Sequence, residues 1–300
     1  MIYMKNLFLV VILSLCIFSS SLAQETDLAR LEYTFIPQSN SDNSVNRIRT
    51  FVNFPIKLGW EGSYLIPGVE YRNLDLDFED PVPFSVESLG TFDMFRVSLA
   101  YTFKMKQDWR VGLKTGFEIA SNFEEKRVQN GDMRFTGALY LIKDRTGDKV
   151  EKPNRFIIGL QYSTNAGRPF PIPIINYYRE FHPKWSYSIG SPKTNIKYDI
   201  NTKNTIQGFI TLDGFFSNLQ RDLPVINPDG SSANADNISM TLILGGVGYE
   251  YAITKNLVFY AYGGHTIFNE IRLRDDNRNN LYKINEENTL YFRGGLKFKI

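Results

Sequence analysis

From Phe95 to Met105 every second residue is apolar: Phe95, Val97, Leu99, Tyr101, Phe103 and Met105. Between them lie Arg96, Ser98, Ala100, Thr102 and Lys104. After Lys106-Gln107-Asp108 the pattern resumes, with Trp109, Val111, Leu113, Thr115, Phe117 and Ile119 set against Arg110, Gly112, Lys114, Gly116, Glu118 and Ala120. A period of two marks a strand with one apolar face. Strands of soluble domains centre on about 5–6 residues, whereas a strand tilted across a bilayer needs about 9–11. Run length and a small or polar second face together predict strands that span a membrane.

The pattern recurs along the chain. Ile48, Thr50, Val52, Phe54 and Ile56 alternate with Arg47, Arg49, Phe51 and Asn53, and Phe156, Ile158, Leu160 and Tyr162 alternate with Ile157, Gly159, Gln161 and Ser163. In Ile238–Leu244 both faces are apolar, and Gly245-Gly246 and Gly248 follow, which predicts a bend or a tightly packed interior. Beyond residue 23 no stretch reaches the roughly 18 apolar residues of a membrane helix. A chain that spans hydrocarbon without helices must close its sheet, because every backbone polar group there needs a partner. The expected fold is therefore all-β: a transmembrane antiparallel up-and-down β-barrel of about 14 strands, with 12 as the alternative.

Short turns are expected at Leu58-Gly59, Gln107-Asp108, Pro183-Lys184, Thr202-Lys203 and Thr254-Lys255. Long loops are expected at Gln38–Val45, Asp77–Leu89, Phe123–Asp132, Asn218–Asp236 and Arg274–Glu287. Alternating short and long connections suit a barrel with both termini in the periplasm. Asp144–Asn154 departs from the pattern, being long where a tight turn is expected. Trp185–Ile189 and Thr194–Ile200 read as two short strands joined at Ser191-Pro192, or as a hairpin outside the wall. Trp60, Trp109 and Trp185 each follow a proposed periplasmic turn, as interfacial indoles do.

Residues 1–23 read as a signal peptide: Lys5, an apolar stretch from Leu7 to Phe18, and small residues Ser21 and Ala23 around Leu22, with cleavage after Ala23. The barrel domain is then 24–300, placed in the outer membrane. Cys16 is the one cysteine and leaves with the signal; Leu15 before it argues against lipidation. An exported chain without disulfides needs another source of stability, here lipid. The net charge of +2 gives no case for nucleic acid.

Leu290, Phe292, Gly294, Leu296, Phe298 and Ile300 alternate with Tyr291, Arg293, Gly295, Lys297 and Lys299 up to the last residue. Arg293, Gly295, Phe298 and Ile300 resemble the C-terminal assembly signal of outer-membrane proteins, with Ile300 where an aromatic is more usual. That resemblance implies the barrel-assembly machinery as a partner. Leu31-Glu32-Tyr33-Thr34, Trp185 through Pro192, Ile196, Tyr198 and this final strand make the chain similar to an uncharacterised outer-membrane β-barrel family of Bacteroidota, a domain of unknown function. The resemblance implies fold and location, and no activity.

If the apolar faces meet lipid, the other faces line the lumen. They carry Arg47, Arg49, Arg72, Arg96, Lys104, Arg110, Lys114, Arg134, Arg293 and Lys297 against Glu70, Glu118 and Asp213. Rings of Arg and Lys select anions, so the expected role is passage or binding of small, anionic solutes. The alternative is a structural or surface-interaction barrel whose lumen is closed by salt bridges. An outer-membrane lipid-modifying enzyme is the remote alternative. Serine chemistry wants a histidine base; His182 reads as a solvated turn residue, and His265 has Thr266 on the opposite face. The expectation is no enzyme and no cofactor. No cysteine or histidine pair stands at metal-ligand spacing, and Asp75–Asp80, Asp222, Asp229 and Asp236 read as solvated loop charges. Gly245-Gly246-Val247-Gly248 is no phosphate loop, since no helix follows it.

Overall fold

A computed structural model describes residues 27–147, 150–167, 169–226 and 232–299. The expected signal segment with Cys16 and Ala23, the loop residue Asp229, and Ile300 lie outside the described residues.

The sheet segments are β1 (Asp27–Pro37), β2 (Ser44–Asn53), β3 (Ile56–Lys57), β4 (Tyr64–Asp77), β5 (Thr91–Lys106), β6 (Trp109–Ser121), β7 (Met133–Arg145), β8 (Asn154–Ser163), β9 (Phe170–His182), β10 (Trp185–Gly190), β11 (Lys193–Asp199), β12 (Asn204–Ile226), β13 (Ser232–Ala252), β14 (Leu257–Arg274), β15 (Asn280–Asn285) and β16 (Leu290–Lys299). Among the described residues the only helical piece is a single 3-10 turn, Asn130–Asp132.

Neighbouring strands pair antiparallel around a ring that β1 and β16 close, with Leu31 opposite Leu296 and Phe35 opposite Phe292. Two segments are continuations. β3 prolongs β2 along β4 past the break at Phe54-Pro55, and β15 and β16 lie one above the other on β14. The sixteen segments therefore fill 14 positions in the wall. β10 and β11 stand in the wall, pairing with β9 and β12, and do not form a hairpin outside it.

Asp27 faces Lys299, so both described ends lie at one end of the barrel, here the terminal end. Trp60, Trp109 and Trp185 are all in or beside its turns. The opposite, loop end carries the longer connections. Around the outside run Leu31, Val69, Val97, Phe117, Phe135, Leu160, Val247 and Phe292, each more than half exposed. An apolar girdle of this extent is the face that acyl chains cover.

Two expected loops are strands. In place of a loop at Asn218–Asp236, β12 runs on to Ile226 and β13 starts at Ser232, making strands of 23 and 21 residues. Above Thr211, where its pairing with β11 ends, β12 turns into the lumen and reaches the far wall, bridging Asn218 to Ser121 of β6. Both faces of the hairpin are then covered, and Phe215, Phe216, Ser217, Ile238, Ser239 and Met240 are all buried. That is why alternation fails there. The expected loop Arg274–Glu287 likewise contains β15.

The hairpin completes an apolar core at the loop end with Ile36, Val45, Leu74, Phe92, Met94, Leu242 and Ile271; the Phe92 and Phe215 rings meet edge to face at 6.1 Å. The β8–β9 connection tucks in beside it, with Thr241 Oγ1 donating to Ala166 O at 3.1 Å. At Gly246 and Gly264, directly opposed on β13 and β14, a Cβ on either would strike the partner's backbone. The glycine run serves close strand approach.

Candidate functional site

Strand alternation puts one set of side chains inside the wall, and these form two levels. Below the apolar core lies a layer of ion pairs. Arg47 grips Asp213 with two hydrogen bonds, Nη1 to Oδ1 at 3.0 Å and Nη2 to Oδ2 at 2.7 Å. Arg293 Nη2 donates to the same Oδ2 at 2.5 Å, and Glu32 Oε1 lies 3.7 Å from both guanidinium groups. Asp213 reaches this layer because β12 bends inward at that point.

On the other side Glu70 accepts from Arg49 Nε at 2.8 Å, Arg72 Nε at 2.7 Å and Arg96 Nη1 at 2.9 Å. Arg96 also holds Glu118, which accepts from Thr164 Oγ1 at 2.8 Å. A third group centres on Glu250, bound by Lys297 Nζ at 2.9 Å, Gln207 Nε2 at 2.7 Å and Tyr262 OH at 2.6 Å. Lys193 lies over the Phe209 and Tyr262 rings and donates to Gln207 Oε1 at 2.9 Å. Such charges are tolerated away from water only when paired and hydrogen-bonded.

The expected lumen residues thus fall into two environments. Arg47, Arg72, Arg96, Glu118 and Lys297 are buried, and Arg49, Glu70 and Arg293 are half-buried partners of that layer. Towards the terminal end, Lys104 and Lys114 are exposed to water although they lie on the inward faces of β5 and β6. Arg110 is half-buried, donating to Gly62 O at 2.7 Å, and Lys104 stands directly opposite it across the ladder. Among the described residues no carboxylate pairs with Lys104, Arg110 or Lys114. Arg134 lies over the Phe216 ring at 4.4 Å.

Two buried acids escape a reading of the sequence. Glu32 and Glu250 are 2% and 4% exposed and sit among the lumen cations. Glu32 lies within a motif that resembles a family feature, and Glu250 follows a glycine run that obscures the strand phase. The alternation of Tyr249, Glu250 and Tyr251 was the available signal. With them the paired network holds five carboxylates, Glu32, Glu70, Glu118, Asp213 and Glu250, whereas Lys104, Arg110 and Lys114 have none paired with them among the described residues.

His182 belongs to the exposed Pro183 turn, where Lys184 N–H donates to its Nδ1 at 3.2 Å. His265 faces the outside of β14, its Nδ1 2.7 Å from Thr266 O, while Thr266 is buried inside. Among the described residues no cluster of three metal-ligating side chains occurs. In β16, Gly295 packs against the Leu31 carbonyl, and Phe298 faces outward.

A family model described as a domain of unknown function, DUF6268, matches residues 90–299. No curated protein matches the chain. Among solved structures it is similar to the KdgM porin, at 10% identity over 90% of this chain and 99% of that one, with a TM-score of 0.35. It is also similar to LpxR from Salmonella typhimurium, at 8% identity over 91% and 100%, TM-score 0.38. The calcium-bound outer membrane phospholipase OMPLA of Salmonella typhi gives 9% identity over 94% of each chain, TM-score 0.35.

Proposed function

Since this chain belongs to the DUF6268 family, whose description names no activity, we propose a role from the barrel's own chemistry: a non-enzymatic outer-membrane protein that binds small anionic solutes in a lumen open to the periplasm and closed to the outside. The apolar girdle and the tryptophans at one rim support the location, and the short turns at the terminal end support its facing the periplasm. His265, turned toward acyl chains, supports the absence of hydrolytic chemistry. In this reading the final strand, through Arg293, Gly295, Phe298 and the terminal Ile300, is what the barrel-assembly machinery engages.

One observation carries the proposal. Along the inward faces of β5 and β6, sealed and paired Arg96 and Glu118 give way to water-exposed Lys104 and Lys114. Lys104 and Arg110 are like charges directly opposed, an arrangement that is destabilising and that a bound anion would offset.

The test has two readouts. In planar bilayers the protein should show no steady conductance, and titration calorimetry should detect inorganic phosphate binding that Lys104→Gln and Lys114→Gln weaken. Ohmic conductance would refute the closed lumen, and binding indifferent to both substitutions would refute the cation site. The closed structural barrel is the second reading, favoured by the buried ion pairs, and it stands if no anion binds at all.

A further inference from the structure

On the outer face of β11–β14 and β16 the girdle is interrupted by a groove of about 660 Å³. Its shape follows from strand register. Ile196 stands opposite Gly208, Gly208 opposite Val247, Val247 opposite Gly263 and Gly263 opposite Phe292, one row across five adjacent strands. All five residues point outward, so the two glycines hollow the wall between a bulky side chain at either edge. Val247, between the glycines, is 71% exposed. Two residues nearer the terminal end, Tyr198, Ile206, Tyr249 and Ala261 form the next row. The Trp185 ring lies against that of Tyr198, with centroids 4.7 Å apart. A Cβ at Gly208 would come no nearer than 3.8 Å to Ile196, and one at Gly263 no nearer than 3.8 Å to Phe292. Unlike Gly246 and Gly264, these glycines are not demanded by close strand approach. What their bareness leaves is space.

The volume falls within the range of ligand sites, about 300–1,000 Å³, and the surroundings select the occupant. The lining is hydrocarbon and aromatic ring on a face where acyl chains are the solvent. Along the terminal rim three successive turns each carry a lysine: Lys184 between β9 and β10, Lys203 between β11 and β12, and Lys255 between β13 and β14. All three are exposed, and among the described residues none has a carboxylate partner. The acids nearest to them in the chain, Glu180, Asp199 and Glu250, lie on the inward faces of their strands. An apolar cleft rimmed by unpaired cations matches an amphiphile with a hydrocarbon tail and an anionic head. A second copy docked by two-fold symmetry would instead set this patch against itself, three lysines facing three, and like charges juxtaposed across an interface oppose that.

We propose that this groove is a binding site for an anionic glycerophospholipid of the leaflet at the terminal end. One acyl chain lies over Gly208 and Gly263, and the phosphate is held among Lys184, Lys203 and Lys255. The site is on the outside of the barrel and is independent of anion binding in the lumen.

Native mass spectrometry of the whole barrel, released from detergent micelles that carry dioleoylphosphatidylglycerol or dioleoylphosphatidylcholine, counts bound lipid. Each lysine near an anionic headgroup contributes about fivefold in affinity. The phosphatidylglycerol adduct should therefore form at a lipid concentration at least about fivefold lower than the phosphatidylcholine adduct. Lys184→Gln, Lys203→Gln and Lys255→Gln together should remove that preference. Gly263→Leu puts a side chain into the groove where its Cβ has room; it should remove the adduct and leave the urea midpoint in vesicles unchanged. Gly208→Leu is the second groove-filling variant should Gly263→Leu fold poorly. Equal binding of the two lipids, a preference that survives the lysine substitutions, an adduct that survives a filled groove, or a barrel dimer in place of the adduct overturns the proposal.

Discussion

Replacing Glu118 by Gln tests whether the ion-pair layer is dry. Glu118 has no solvent exposure and accepts from Arg96 through Nε and Nη2 and from Thr164 through Oγ1. The substitution keeps the shape and removes the charge. Breaking one side of a buried pair costs about 3–5 kcal/mol. Arg96 is not stranded, since Glu70 at 2.9 Å and Asn165 at 3.3 Å remain. Glu70 is then the one carboxylate shared by Arg49, Arg72 and Arg96, so a loss near the lower bound, about 3 kcal/mol, is expected. Reversible urea unfolding in phospholipid vesicles, followed by tryptophan emission, measures it. Asp108→Asn is the reference, because the Asp108–Arg145 pair is 40% and 49% exposed and such pairs contribute at most about 1 kcal/mol. If Glu118→Gln costs no more than Asp108→Asn, water reaches the layer and the reasoning from a closed lumen is wrong.

A Cβ at Gly264 would meet the Gly245 carbonyl and lie 2.6 Å from Gly246 Cα, whereas Gly59 has nothing within 4 Å. Gly264→Ala should therefore cost about 1–3 kcal/mol by overpacking, and Gly59→Ala should leave the urea midpoint unchanged. At the loop end, the Arg221 guanidinium donates to Glu125 at 2.8 Å and holds its carboxyl below the usual range. The folded pKa is the lower one, so the contact is present above the unfolded value of about 4.3 and lost as pH falls through the folded one. Hydrogen exchange of residues 122–129, corrected for intrinsic rates, should rise on that acidification, and Arg221→Gln should abolish the dependence.

Strand existence and phase were legible wherever one face meets lipid and the other the lumen, as in β5, β6 and β16. The chemistry of the lumen was legible only residue by residue. Arg47, Arg96 and Glu118 could be placed on inward faces, but their partners come from strands far away in sequence. Asp213 meets Arg47 only because β12 leaves the wall, and nothing local announces that bend. Alternation also reports burial and not location: Ile238–Leu244 shows two apolar faces without showing that β13 is covered on both sides inside the barrel, and Asn218–Asp236 reads as loop although β12 runs to Ile226 and β13 starts at Ser232. The shortness of β10 and β11 did leave a trace, in Ser191-Pro192 between them.

The bridge from Asn218 to Ser121 joins residues 97 apart in the chain, and the ring closes only when β16 meets β1. Long-range contacts of this kind form late, since a large loop must be ordered before any contact rewards it. During insertion the arginines and carboxylates of β1–β6 consequently stand hydrated inside an unroofed sheet. They exchange water for one another only when the C-terminal strands arrive. Expulsion of solvent is thus the closing event of assembly, and the wall takes shape before its interior dries.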